Sequence, residues 1–255
     1  MNKLVLGCLI AVLSCQAFGI EKSVNFSSSS SISVSVGNSS SHYEKAIDLF
    51  NNGDYAKALT EFDQAAKETP DDALVYCDRA ACLYNLNKVQ EALTDAQKAI
   101  SLDPKLARAY YNRALCFAAA GNSQKELADY NKAIELKSDY ADAYSNRAAN
   151  YLDMGQLDKA KADIDQAIKY DPNSALNYNT RAVINFKEQK NEAAIQDCNQ
   201  AIKLNGKYAE AYNTRGFIYM SMGNKEQALK DFKRTLELDP DHRLAQENLA
   251  QLQKK

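Results

Sequence analysis

Few side chains in this chain could do chemistry. Histidine occurs only as His42 and His242, at opposite ends of the sequence. A paired-histidine metal site or a histidine-based nucleophile relay needs such groups a few Å apart, so neither can be assembled here. Phosphate-cradling loops, dinucleotide glycine fingerprints and His-Glu-x-x-His strings are missing from the sequence as well. What does recur is binding chemistry. Arginine returns at Arg79, Arg113, Arg147, Arg181 and Arg215, and aspartate at Asp95, Asp129, Asp163, Asp197 and Asp231. Planar guanidinium groups fork onto carboxylates, which reads as a structural ladder. A second set joins the amides Asn112, Asn146, Asn179 and Asn213 to Tyr43, Phe50, Tyr84, Tyr111, Leu115, Val183, Phe186 and Phe217. Amides can hydrogen-bond an extended backbone whatever its sequence, and aromatic groups form pockets for its side chains.

The elements that position these groups follow from a repeat of 34 residues, marked at Pro70, Pro104, Ser138, Pro172, Gly206 and Pro240. With position 1 at Ser39, Ala73, Ala107, Ala141, Ala175 and Ala209, position 8 is Ala46, Ala80, Ala114, Ala148, Ala182 and Gly216. Positions 20 and 27 are alanine too, except for Glu126 and Thr235. Apolar residues at 4, 8 and 11 form one helical stripe, and those at 20, 24 and 27 form another. Gly53, Gly121, Gly155 and Gly223 at position 15 end the first helix, and Asp-Pro pairs end the second. A single hairpin cannot bury its own stripe, so the hairpins stack. The turn near position 15 levels arginine 7 with aspartate 23, and the turn near 32 levels each aspartate with the next arginine. Each guanidinium is therefore expected to fork between two carboxylates.

The period and its small-large-small spacing resemble the tetratricopeptide repeat family. The resemblance implies an all-α, right-handed superhelical solenoid of six helix-turn-helix repeats (39–72, 73–106, 107–140, 141–174, 175–208 and 209–242). The last of these is followed by a capping helix over 241–255. It departs mildly from the family: the usual position-4 tryptophan is Tyr76, Tyr110, Tyr144, Tyr178 and Tyr212, with His42 first. Repeats one and five, the latter with Asn185 and Gln189, are expected to be the loosest. The family's concave face is lined at positions 2, 5, 6, 9, 12 and 13. It implies a non-catalytic scaffold that holds a peptide segment or partner protein against Tyr111, Asn112, Leu115, Asn146, Asn179, Phe186, Asn213 and Phe217, the amides recurring once per repeat. Chaperone-tail receptors of this family grip a terminal carboxylate with lysines and asparagines, where this chain offers Tyr43, Ile47, Asp78, Arg108 and Asn112. No chaperone carboxylate clamp is expected, and no cofactor or metal is implied.

The formal charge of -2 offers no basic stripe, so nucleic acid is not an expected partner. Lys3 and the apolar run Leu4 to Leu13 read as an export signal, too short at roughly 15 Å to span a bilayer. Cleavage before Cys15 would make a lipidated chain, since Val12-Leu13-Ser14-Cys15 resembles a bacterial lipobox. Cleavage after Gly19 would leave a soluble chain, and an uncut signal is the third option. The expected location is the periplasm or cell envelope, or outside the cell. Residues 20–38 are serine-rich and read as a flexible tether. Of the cysteines beyond the signal, Cys82 and Cys116 share position 10 in successive repeats. They stand roughly 10 Å apart, beyond bridging distance. Cys77 and Cys82 face different ways on one helix, so free buried thiols are expected.

Overall fold

The structure is a computed structural model that describes residues 40–253. The export signal, Cys15, both cleavage sites and the serine tether lie outside the described residues. Contacts divide the chain into two compact units, one ending at Ala143 and one starting at Tyr144. The first unit contains three helical hairpins: α1 (Ser41–Asn51) with α2 (Tyr55–Glu68), α3 (Ala73–Asn85) with α4 (Val89–Leu102), and α5 (Ala107–Ala119) with α6 (Ser123–Leu136). The helix α7 (Ala141–Asp153) leads into the second unit and pairs with α8 (Leu157–Tyr170). It is followed by α9 (Ala175–Lys187) with α10 (Asn191–Leu204), α11 (Ala209–Ser221) with α12 (Lys225–Leu238), and the single α13 (Arg243–Gln253). No strand occurs among the described residues.

The repeat places the breaks. Position 15 has a positive φ in every hairpin: +80°, +70°, +70° and +81° at the glycines, 59° at Asn87 and 63° at Gln189. Asparagine tolerates this left-handed conformation, whereas an ordinary L side chain meets its own carbonyl there at a cost of roughly 1 to 2 kcal/mol. Gln189→Gly should therefore stabilise the second unit by about 1 kcal/mol, after the greater freedom of glycine in the unfolded chain is subtracted. Asn87→Gly should do less for the first unit. A urea midpoint that falls in Gln189→Gly would contradict the strain argument.

Packing follows the small residues. The alanines at positions 8, 20 and 27 are buried throughout, and the exceptions Gly216, Glu126 and Thr235 are buried with them. Larger side chains at position 24 (Phe62, Tyr130, Ile164 and Phe232) fill the space that the alanines leave. Burying each such side chain contributes on the order of 2 kcal/mol. Successive first helices also touch directly, α1 on α3 and α3 on α5 in the first unit, α9 on α11 and α11 on α13 in the second. Within each unit the first helices thus form the crowded, inner row.

Candidate functional site

Two ladders of polar groups run through each unit. The first lies where the hairpins close. Arg79, Arg113, Arg147, Arg181 and Arg215 donate Nε to the position-23 aspartate of their own hairpin at 2.7, 2.7, 2.7, 3.0 and 2.8 Å. Nη2 donates to the other carboxylate oxygen, completing the fork in all five. Each guanidinium also stacks on the position-4 tyrosine one turn earlier, 5.3 to 5.6 Å from the ring centre. This gives the tyrosines a role that the sequence pattern leaves open. The expected second carboxylate differs from what the structure shows. Arg79 Nη1 reaches Asp63 at 2.9 Å, Arg181 Nη1 reaches Asp165 at 3.1 Å, and Arg215 Nη1 reaches the Asn199 amide oxygen at 2.5 Å. All three acceptors hold position 25 of the preceding hairpin, because the next helix is offset by two residues from the level height. The ladder engages these arginines and leaves them no free fork for a ligand.

The second ladder runs along the inner row at an offset of 35 residues, from position 5 of one first helix to position 6 of the next. Tyr43 Oη donates to Asp78 at 2.6 Å, and Asn248 Nδ2 donates to Asn213 Oδ1 at 3.4 Å. Asn112 Nδ2 donates to the Cys77 carbonyl at 2.8 Å. This changes the reading of the amides. Asn112, Asn146, Asn179 and Asn213 are 2%, 1%, 0% and 1% exposed, not solvated, and Tyr111 and Leu115 are buried with them. Nor do the four share one register: Asn112 and Asn146 hold position 6, Asn179 and Asn213 position 5. They stand between successive helices, where a one-sequence reading of helix faces sees only a polar side chain. The same offset relates Asn179 to Thr214, and there neither the Asn179 amide nor the Thr214 hydroxyl has a protein partner. Such a rung costs roughly 1 to 3 kcal/mol per unpaired buried group.

The expected site residues divide between the units: Tyr111, Asn112 and Leu115 in the first, Asn146, Asn179, Phe186, Asn213 and Phe217 in the second. Of these, Phe186 on α9 and Phe217 on α11 remain half-buried, packed edge to face at 5.7 Å. They lie on the inner row, one and two turns beyond the unpaired Thr214 and Asn179. Sequence reasoning missed another trio, Tyr43, Asp78 and Arg108. Arg108 Nη2 lies 2.9 Å from Asp78 Oδ1, so that a buried carboxylate collects donors from three successive first helices. The available signal was an arginine at position 2 facing an aspartate at position 6.

Nothing in the described residues groups three metal-ligating side chains, and no described helix is long and apolar enough to cross a membrane. His42 Nδ1 meets Glu61 at 2.5 Å, and His242 Nδ1 accepts from the Ala245 amide at 3.3 Å as α13 begins. Cys77, Cys82, Cys116 and Cys198 are free and buried. Burial pushes the first three thiols up to about 12 and raises Cys198 further in the same direction, which disfavours the reactive thiolate.

Family models described as tetratricopeptide repeat match residues 43–107, 83–141, 141–174 and 209–242, and a TPR repeat model matches 184–223. No curated protein matches the chain in sequence. Among solved structures, YrrB, described as a TPR protein with an unusual peptide-binding site, superposes with a TM-score of 0.57. It is 22% identical, over 73% of this chain and 96% of that one. A tetratricopeptide repeat protein from Parabacteroides merdae is 22% identical at a TM-score of 0.63, over 84% of this chain and 83% of its own. PilF of Pseudomonas aeruginosa is 16% identical at a TM-score of 0.71, over 82% and 96%. Likeness at these identities shows the fold alone.

Proposed function

This chain belongs to the tetratricopeptide repeat family, and from that membership we propose that it is an exported, non-catalytic scaffold that holds a peptide segment of a partner protein. The fold is that of a protein–protein interaction scaffold, and YrrB, a fold neighbour, is described as a peptide binder. The observation that carries the reading is the half-buried Phe186–Phe217 pair on the inner row of the second unit, next to the unpaired Asn179–Thr214 rung. Aromatic side chains of this kind give large contact area at low entropy cost and commonly dominate binding. An extended segment seated there gains an apolar anchor, and the neighbouring amide and hydroxyl can take up backbone groups. The remaining inner-row residues, Tyr111, Asn112, Leu115, Asn146 and Asn213, shape that row from within rather than touching solvent.

Once a partner is identified by cross-linking to the full chain, replacing Phe186 and Phe217 together by alanine should weaken it about 30-fold, which is about 2 kcal/mol. The helical signal should survive. Unchanged affinity in that variant would remove the site from this row.

A membrane-anchored assembly role is the second reading, favoured by the sequence Val12-Leu13-Ser14-Cys15 ahead of the serine tether. Lipidation at Cys15 would fix the repeats to the envelope, because two or three acyl chains bind a bilayer firmly where one binds marginally. Cys15→Ser should move the protein from the membrane to the soluble fraction. Retention in the soluble fraction by the unmodified protein would favour cleavage after Gly19 instead.

A further inference from the structure

The first unit buries one carboxylate that the arginine ladder does not use. Asp78 on α3 is 6% exposed, and Tyr43 Oη donates to its Oδ2 at 2.6 Å. Arg108 Nη2 stands 2.9 Å from Oδ1 and 3.0 Å from Oδ2. The donors come from α1 and α5, on either side of α3. The other inner rungs with the same offset, at Cys77–Asn112 and Asn213–Asn248, are neutral, so a charge pair is not what the stacking demands. Position 2 is Ser40, Leu74, Asp142, Leu176 and Glu210 in the other repeats, so arginine there is not a requirement of the fold either. The Arg108 side chain keeps 29% of its surface exposed while that of Asp78 keeps 9%. The cation thus lies at the surface and the carboxylate beneath it. Beside them the Tyr111 and Tyr140 rings stack at 5.0 Å and give the place an apolar wall.

We infer that Arg108 and Tyr43 form a seat for a partner's carboxylate, which Asp78 occupies from within the chain and vacates when it takes up a proton. The seat is not the lysine and asparagine grip of chaperone-tail receptors, since the occupant here is the chain's own side chain. In the exchange Asp78 gains one proton from solvent, and its new O–H turns to the Tyr43 oxygen. The ligand carboxylate then pairs with Arg108, so net charge is conserved by uptake of one proton. The groups that face Asp78 suit this. Tyr43 comes from α1, Cys77 and the cap Asp72 from α3, Arg108 and Asn112 from α5, and Tyr140 and Asp142 from the approach to α7. Burial raises the Tyr43, Cys77 and Tyr140 groups, leaving them neutral, and Arg108 is the one cation among the groups named. Burial likewise raises the Asp78 carboxyl from its ordinary value, partly countered by Arg108 and Tyr43. Protonation therefore comes at milder acidity than for an exposed aspartate. An anionic segment is turned away while Asp78 is ionised and admitted as pH falls.

The test uses the full chain and a short peptide of neutral side chains, with either a free carboxylate or an amidated end, titrated calorimetrically. Asp78→Asn should bind the acid at least about tenfold more tightly than the unaltered chain near neutral pH, the scale of one freed charge-assisted hydrogen bond. The amide should show no such gain, and Arg108→Gln should abolish binding of the acid. The unaltered chain should bind the acid more tightly as pH falls, with about one proton taken up in buffers of different ionisation enthalpy. A folded Asp78→Asn chain without that gain would overturn the inference and leave Asp78 a structural rung. Should Asp78→Asn fail to fold, absence of proton uptake by the unaltered chain would overturn it alone. The inference rests on the first unit, so failure of the Phe186 and Phe217 test would leave it standing.

Discussion

Asp197→Ala should cost the second unit about 3 kcal/mol, because it strips a buried three-donor carboxylate from the arginine ladder. Asp197 accepts Arg181 Nε at 3.0 Å, Arg181 Nη2 at 2.7 Å and Asn185 Nδ2 at 2.8 Å. Its side chain is 9% exposed and that of Arg181 25%, so water cannot fully replace what is lost. Two effects compete. Arg181 keeps Nη1 on Asp165 at 3.1 Å, and its partial exposure screens the orphaned charge, which places the loss at the low end for a broken buried pair. Asn185, buried at 5%, loses its printed acceptor and adds to the cost. The pair itself contributes less than its removal suggests. Arg181→Met with Asp197→Leu should therefore recover more than half of the loss, since no charge is then left behind. Urea denaturation of the three variants decides it: a single Asp197→Ala loss under about 1 kcal/mol would put the ladder among ordinary surface pairs.

The fold was legible because the repeat states the same instruction six times. Small residues at 8, 20 and 27 mark where helices touch, and all of them are buried. Even the deviations obey: Gln189 and Asn87 take the left-handed turn that glycine takes elsewhere, since the hairpin must close whatever residue holds position 15. The arginine-to-aspartate forks were legible for the same reason, being set by one hairpin's own geometry. The contacts between hairpins were not. Position 25 rather than 23 meets the next arginine, and positions 5 and 6 of successive first helices meet each other, through an offset that depends on the stacking angle. A helical wheel assigns Asn179 and Asn213 to an outward face, and only the close approach of α9, α11 and α13 turns that face inward. The Tyr43–Asp78–Arg108 cluster is invisible to any one-repeat reading, since it takes one residue from each of three.

Gly216→Val should cost the second unit about 3 kcal/mol, whereas Gly216→Ala should be nearly neutral. Gly216 is the one position-8 residue that is not alanine, and a Cβ there would stand 2.9 Å from Phe232 Cε1, 3.0 Å from Cδ1 and 3.1 Å from Asp231 Cβ. Those distances are too short for an unrelaxed methyl. The first unit shows how far the helices can give: Ala46 and Phe62 occupy the same two positions, as do Ala114 and Tyr130, and all four are buried without exposure above 1%. One methyl is thus accommodated by a small separation of the helices, and the roughly 1 kcal/mol gain of alanine over glycine in a helix offsets that shift. Valine adds two branches with a single favoured rotamer, so it cannot turn away from the Phe232 ring. The same push bears on Asp231, which accepts Arg215 Nε at 2.8 Å and Nη2 at 2.7 Å, and loosens that fork as well. Phe232→Leu introduced into Gly216→Val should return at least half of the stability by vacating the contested volume. If valine and alanine behave alike in the urea midpoint, the close contact of α11 with α12 is not what selects glycine at this position.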